Sequence, residues 1–170
     1  MTVAERTDFE LRRELREGDA EAIVEIHERI YRPEYGMETS FVDGVRSTVE
    51  DAVARGWPKG GGAWLVDGPD GLAGSLGLTD EGDGLGKLRW VVLAPEARGT
   101  GLGRRMITEA VLEARGLGFV RLELDTFGAL TTAAAIYRSV GFRLVGEEQT
   151  DMWGPTIAYQ HYVLDLRAQD

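Results

Sequence analysis

One segment constrains this chain more than any other: a β-branched apolar run that ends in a glycine turn and resumes at once as an amphipathic helix. Val91, Val92 and Leu93 lead through Pro95 to glycines at 99, 101 and 103. Apolar residues then recur at three- and four-residue spacing, at Leu102, Met106, Ile107, Ala110, Val111, Ala114 and Leu117, the period of a helix with one buried face. Strand, tight turn and helix follow directly. Glycine lets a backbone approach a ligand closely. The first turn of a helix leaves N–H groups without partners at its positive end, so such a junction holds anions. A phosphorylated ligand is the expectation.

Three phosphate-binding turns share this outline. A Walker-type loop places Lys-Ser or Lys-Thr after its last glycine, and Gly103 is followed by Arg104 and Arg105, which excludes it. A dinucleotide fingerprint needs a small residue where helix and strand pack. Arg104 stands there instead, although Glu123 supplies the acidic residue about twenty positions on, so a nucleotide-dependent oxidoreductase stays open as a weaker alternative. The third pattern is Arg98-x-x-Gly101-x-Gly103. It resembles the pyrophosphate loop of the GNAT superfamily of N-acetyltransferases.

A second segment carries the same resemblance. Residues 119–126 alternate as a strand, with Val120, Leu122 and Leu124 against Arg121, Glu123 and Asp125. A short helix over 131–140 follows and stops at Gly141, as a C-terminal cap glycine would stop it. Its run Ala135-Ile-Tyr-Arg-Ser-Val-Gly-Phe142 is similar to the tyrosine helix of that superfamily.

The remaining elements are read from pattern. A first strand is expected over 9–16. A helix capped by Asp19 carries Ala22, Ile23, Ile26 and Ile30 and is broken by Pro33 and Gly36. A second, capped by Ser40, carries Phe41, Val45, Val49 and Val53. Strands over 63–67 and 73–79 form a hairpin through Gly68-Pro-Asp-Gly71. Residues 80–84 are read as a loop, and 142–146 and 161–166 as the last strands. The order β-α-α-β-β-β-α-β-α-β-β implies one α/β domain of the α+β type over residues 1–170. The resemblance makes this the GNAT acyl-CoA N-acyltransferase fold: a mixed, mostly antiparallel sheet of six to seven strands with a central splay, flanked by about four helices.

Composition narrows the class. The 43% hydrophobic and 28% charged residues are ordinary for a globular chain. No apolar stretch approaches the roughly 20 residues of a membrane span, and residues 1–6 hold no hydrophobic signal core, so a cytoplasmic location away from membranes is expected. The formal net charge of −10 disfavours nucleic acid and favours amine-bearing partners. Zero cysteines exclude disulfides, thiolate metal sites and a cysteine-linked acyl enzyme; no metal is expected.

What the resemblance implies is a mechanism. Acetyl-CoA is the co-substrate, its pantetheine arm lying along residues 88–93 and its acetyl carbonyl near the amides of Val91, Val92 and Leu93. Pyrophosphate sits on the turn Arg98, Gly99, Thr100, Gly101, Leu102, Gly103 and Arg104. Tyr137 is the general acid, although it also shares the apolar face of Ala133, Ile136 and Val140, where packing is the other role. An asparagine common in the family after the preceding strand is missing from Asp125-Thr-Phe-Gly128, which leaves Thr126 to replace it or the contact absent. The acceptor, an amine of a small molecule or a protein, is assigned to Tyr31, Glu34 and Tyr35. The general base stays open among Glu34, Asp80, Glu81, Asp125, His27 and His161. A non-catalytic acyl-CoA sensor of the same fold is the alternative function; quaternary state is not readable from the sequence, and the resemblance leaves room for a homodimer whose contact Trp153 could serve.

Overall fold

A computed structural model describes residues 8–167; the N-terminal segment over which a signal core was sought lies outside them. Seven strands are described: β1 (Glu10–Arg12), β2 (Gly62–Gly68), β3 (Gly71–Gly82), β4 (Leu85–Leu93), β5 (Arg121–Phe127), β6 (Arg143–Thr150) and β7 (Ile157–Asp165). Four helices accompany them: α1 (Asp19–Tyr35), α2 (Thr39–Ala54), α3 (Leu102–Gly116) and α4 (Thr131–Ser139). The sheet order is β1-β2-β3-β4-β5-β7-β6. Every pairing is antiparallel except β4 with β5.

Alternation along β2 sorts the helices to opposite faces. Trp64 and Val66 join the core that takes Met106, Ile107, Ala110, Val111 and Ala114 from α3. Ala63 and Leu65 join the one that takes Ile23 and Val24 from α1, and Val42, Val45, Val49 and Ala52 from α2. Successive strand residues point to opposite sides, so α3 lies behind the sheet and the α1–α2 pair in front.

Several local expectations are corrected. β1 spans three residues, because the chain turns away where the Arg12 guanidinium bridges Asp19 (2.7 Å) and Asp67 (2.6 Å). Asp19 is the first helical residue, not the cap. Gly18 caps α1 in the left-handed region (φ 89°), and the Asp19 carboxylate accepts the Arg16 N–H at 2.6 Å. Pro33 does not break α1, which runs on to Tyr35 and stops at left-handed Gly36; so near a helix end, proline forfeits a single intrahelical bond. Ser40 does not cap α2. The helix starts at Thr39, and the N–H of the preceding Glu38 donates to the Trp153 carbonyl at 2.8 Å. Residues 80–84 are no loose loop: β3 reaches Gly82, and Asp83 (φ 56°) with Gly84 (φ 80°) makes a two-residue hairpin of the kind whose central residues both need positive φ.

Candidate active site

Leu93 ends β4, a short 3-10 turn follows over Pro95–Ala97, and α3 opens at Leu102. Gly99 (φ 78°) and Gly101 (φ 85°) are left-handed, a conformation glycine adopts without strain. Two amides of the turn are used internally: Arg98 N–H donates to the Pro95 carbonyl (3.2 Å), and Leu102 N–H to the Thr100 hydroxyl (3.4 Å). The N–H groups of Gly99, Thr100, Gly101, Gly103 and Arg104 have no acceptor among the described residues. Five free donors at a helix N-terminus form an anion cradle. Its side chains brace the turn and tie it to neighbouring helices. The Thr100 hydroxyl donates to the Ala97 carbonyl (2.6 Å), and Arg104 donates to Ser139 (2.8 Å). Arg98 donates to the Leu93 carbonyl (3.0 Å) and forms a two-pronged pair with Glu34 (3.0 and 3.3 Å).

The sheet parts beside this turn. β4 and β5 pair only from Leu85↔Arg121 to Lys87↔Glu123, and residues 88–93 have no partner strand on that side. A bulge shapes the parting. The β3–β4 register shifts between Ser75↔Val92 and Gly77↔Arg89, and Trp90 takes φ 55° there. For a bulky residue this is a strained conformation that its surroundings must enforce. Here the indole is held against Trp57 (centroids 4.9 Å apart) and donates to Thr48 (2.9 Å). The Trp90 carbonyl accepts from Ser75 (2.6 Å). A Cβ at Gly77 would sit 2.5 Å from the Trp90 ring, so only glycine fits opposite the bulge.

A cleft of about 750 Å³ follows the parting from the glycine turn through to the α1–α2 face. Val91, Val92, Leu93, Arg98, Gly99, Gly101, Gly103, Arg104, Thr126 and Tyr137 line it, as do Tyr31 and Tyr35; Thr100, Leu102 and Glu34 do not. Tyr137 is 3% exposed and packs against Phe142 and Tyr162. Its hydroxyl makes no hydrogen bond among the described residues, and burial raises its pKa above the ordinary phenol range. The phenol therefore keeps its proton.

The front end of the cleft has a wall of rings from distant segments. Tyr31 contacts Tyr35 (5.5 Å), Phe41 (5.0 Å) and Phe127 (5.7 Å); Trp153 contacts Phe41 (5.4 Å) and Tyr159 (5.5 Å). Trp153, named above for a possible dimer contact, packs against rings of its own chain and stays partly exposed. Of this wall the sequence pattern gave Tyr31 and Tyr35 only. Phe41 reads equally as a core position of α2, and no local signal marks Phe127 or Tyr159.

The base candidates separate clearly. His27 lines the cleft, stacks on Tyr31 and sits 2.7 Å from the Ile23 carbonyl through Nδ1. Burial pushes it down to about 4, so its ring is neutral. Glu34 is held by Arg98, Asp80 accepts the Gly82 N–H at the hairpin tip, and Glu81 receives Thr79 and Arg89. Asp125 lines the cleft; one oxygen accepts from His161 and the other pairs with Lys87 at 2.9 Å. Burial raises the Asp125 pKa, but the His161 and Lys87 hydrogen bonds outweigh it and hold the carboxyl below its usual range. His161 touches Glu123 (3.3 Å) through its other nitrogen.

Comparison with known proteins places this geometry. The pattern of the Acetyltransferase (GNAT) family matches residues 20–142. An uncharacterized N-acetyltransferase of Schizosaccharomyces pombe is 30% identical over 120 residues, covering 66% of this chain and 70% of the relative. Among solved structures, a GNAT acetyltransferase of Staphylococcus aureus superposes with a TM-score of 0.71 at 15% identity, covering 93% of this chain and 99% of that one. An acetyltransferase of Salmonella typhimurium, solved with acetyl-CoA, gives 0.69 at 18% identity, covering 94% and 95%. The chain belongs to the GNAT acetyltransferase family.

Proposed function

We propose that the protein transfers the acetyl group of acetyl-CoA directly to a primary amine of a small molecule or protein, with both substrates bound at once. The observation that carries this is the run of five unpartnered amides at the mouth of a cleft that passes through the parted sheet. The amides of Gly99, Thr100, Gly101, Gly103 and Arg104 hold the pyrophosphate. The unpaired length of β4 receives the pantetheine arm as an added strand, by main-chain hydrogen bonds. Backbone N–H groups around Val91, Val92 and Leu93 polarise the thioester carbonyl; one such donor is worth about 3 kcal/mol of barrier.

The amine arrives from the α1–α2 face, opposite the cofactor. Its nitrogen forms the new bond to the acetyl carbon as the carbon–sulfur bond breaks. Sulfur leaves with the electron pair and takes the phenolic proton of Tyr137, and the proton given up by the amine restores the balance through solvent. With zero cysteines in the chain, no acyl-cysteine precedes transfer.

Thermal-shift measurements with acetyl-CoA, NAD and ATP, followed by a coenzyme A release assay over an amine panel, test the proposal. Stabilisation by acetyl-CoA with amine-dependent thiol release is expected. Stabilisation without turnover leaves the sensor reading, and a response to NAD alone overturns both.

A further inference from the structure

One ring nitrogen at the front of the cleft is left without a partner among the described residues. His27 belongs to the buried face of α1, which after Asp19 is otherwise aliphatic or aromatic: Ile23, Val24, Ile26, Ile30 and Tyr31. Its Nδ1 lies 2.7 Å from the Ile23 carbonyl. A carbonyl only accepts, so Nδ1 carries the ring hydrogen and Nε2 presents a bare lone pair. No described residue donates to that lone pair. Yet no fully enclosed side-chain nitrogen or oxygen among the described residues lacks a partner. Nε2 is therefore reachable. With the residue only 3% exposed, the way in is the cleft that His27 lines.

The surroundings define what the lone pair waits for. Tyr31 stacks on the imidazole at 5.5 Å and Phe41 tilts against it at 6.5 Å, so the nitrogen is set among flat apolar faces. Three hydroxyls from α1 and α2 line the cleft, and each spends its hydrogen on the protein. Tyr31 donates to the Val91 carbonyl (3.3 Å), Thr48 to the Val45 carbonyl (3.0 Å) and Tyr35 to Glu34. A ligand carbonyl or carboxylate finds no free hydroxyl hydrogen on these two helices. A ligand N–H or O–H finds an open acceptor. Leaving such an acceptor unpaired in an apolar setting is costly, and that cost becomes a preference for ligands that bring the donor.

Given the acetyl-transfer reading, on which this rests, we infer that the acceptor is an amine on an aromatic ring system that also carries a hydrogen-bond donor, and that this donor closes on His27 Nε2. A phenolic hydroxyl and an indole-type N–H both have the required chemistry. Tyr31 follows His27 on the same face of α1, one turn or about 6 Å further along the axis. Its hydroxyl touches the Val91 carbonyl, beside the backbone proposed to hold the thioester. The imidazole is thus set back from that backbone by about one substituted ring.

The test holds the amine constant and removes the donor: tyramine against phenethylamine and against its own methyl ether, and tryptamine against its indole N-methyl derivative. Wild-type kcat/KM should favour the donor-bearing member of at least one series by roughly tenfold. His27→Phe, which keeps a ring on Tyr31, should bring the members of that series within about twofold of each other. Equal or reversed preference in wild type overturns the inference and leaves acetyl transfer intact. So does a preference that survives His27→Phe, including a uniform loss of rate for every amine, which would give the lone pair to the attacking nitrogen. A measurement on the unaltered protein stands beside these. The chain has two histidines, so their ring nitrogens can be followed one by one by NMR in protein saturated with coenzyme A. The donor-bearing amine should move the His27 Nε2 resonance, and its partner amine should not. Two equal responses, or none, overturn the inference even where His27→Phe does not fold or no amine turns over. If coenzyme A fails to bind, acetyl transfer fails on its own terms, and the same titration of the free protein decides the His27 site.

Discussion

The two ends of the cleft are built from different materials. The end proposed for the cofactor is main chain: five of the six residues 99–104 present free amides, while the Thr100 hydroxyl braces the turn and Arg104 reaches Ser139 on α4. The end proposed for the acceptor is side chain, assembled from α1, α2, β4, β5 and β7, with residues as far apart in sequence as His27 and Tyr159. A site made of contiguous backbone tolerates changes of side chain so long as the glycine conformations survive. A site made of converging side chains is set one residue at a time, which lets one fold take many acceptors.

Substitutions can break or sharpen that contrast. The largest effect is expected where the two ends meet. Tyr137→Phe should lower kcat by roughly 10- to 1,000-fold, the range of general acid–base effects, with KM for acetyl-CoA and for the amine nearly unchanged. Steady-state kinetics checks this, and turnover at the wild-type rate reduces Tyr137 to packing.

Next is the backbone itself. Gly101→Val puts a β-branched residue at φ 85°, a strain of about 1–2 kcal/mol. Cβ meets nothing within 4 Å, so the fold should persist. KM for acetyl-CoA should rise roughly tenfold while KM for the amine holds. A parallel rise in both would show that the two ends are not separable.

The smallest effect concerns His27 at the acceptor end. Its folded pKa, about 4, lies below the ordinary value of about 6.5. The unfolded chain therefore binds the extra proton first. Stability is full above pH 6.5, declines as pH falls from there, and stops declining from this cause below pH 4. By pH 5.5 the loss is about 1 kcal/mol. His27→Phe keeps the ring stacked on Tyr31 and should flatten the denaturation midpoint across this window; an unchanged slope would assign the acid sensitivity elsewhere.

The same contrast explains what was legible in the sequence. Element order, the glycine turn and the tyrosine helix were readable, because each rests on local periodicity or a contiguous motif. Helix starts were less so. Asp19 has the chemistry of a cap, but its carboxylate is drawn to Arg12, a contact no local window contains. Asp83-Gly84 is a hairpin signal that a cluster of acidic residues and glycines disguised as a loop. At the site, Glu34 was expected to face a cationic acceptor, and the fold pairs it with Arg98. No local signal marks Lys87 or Arg89, which line the cleft only once the sheet is assembled.

That parting also bears on mechanics. Three residue pairs join β4 to β5, so the sheet behaves as two plates riveted at one corner. Any guest whose backbone-like arm spans the gap supplies the missing rungs and becomes part of the girder. Rigidity on both sides of the seam would then rise as such a guest binds and fall as it leaves.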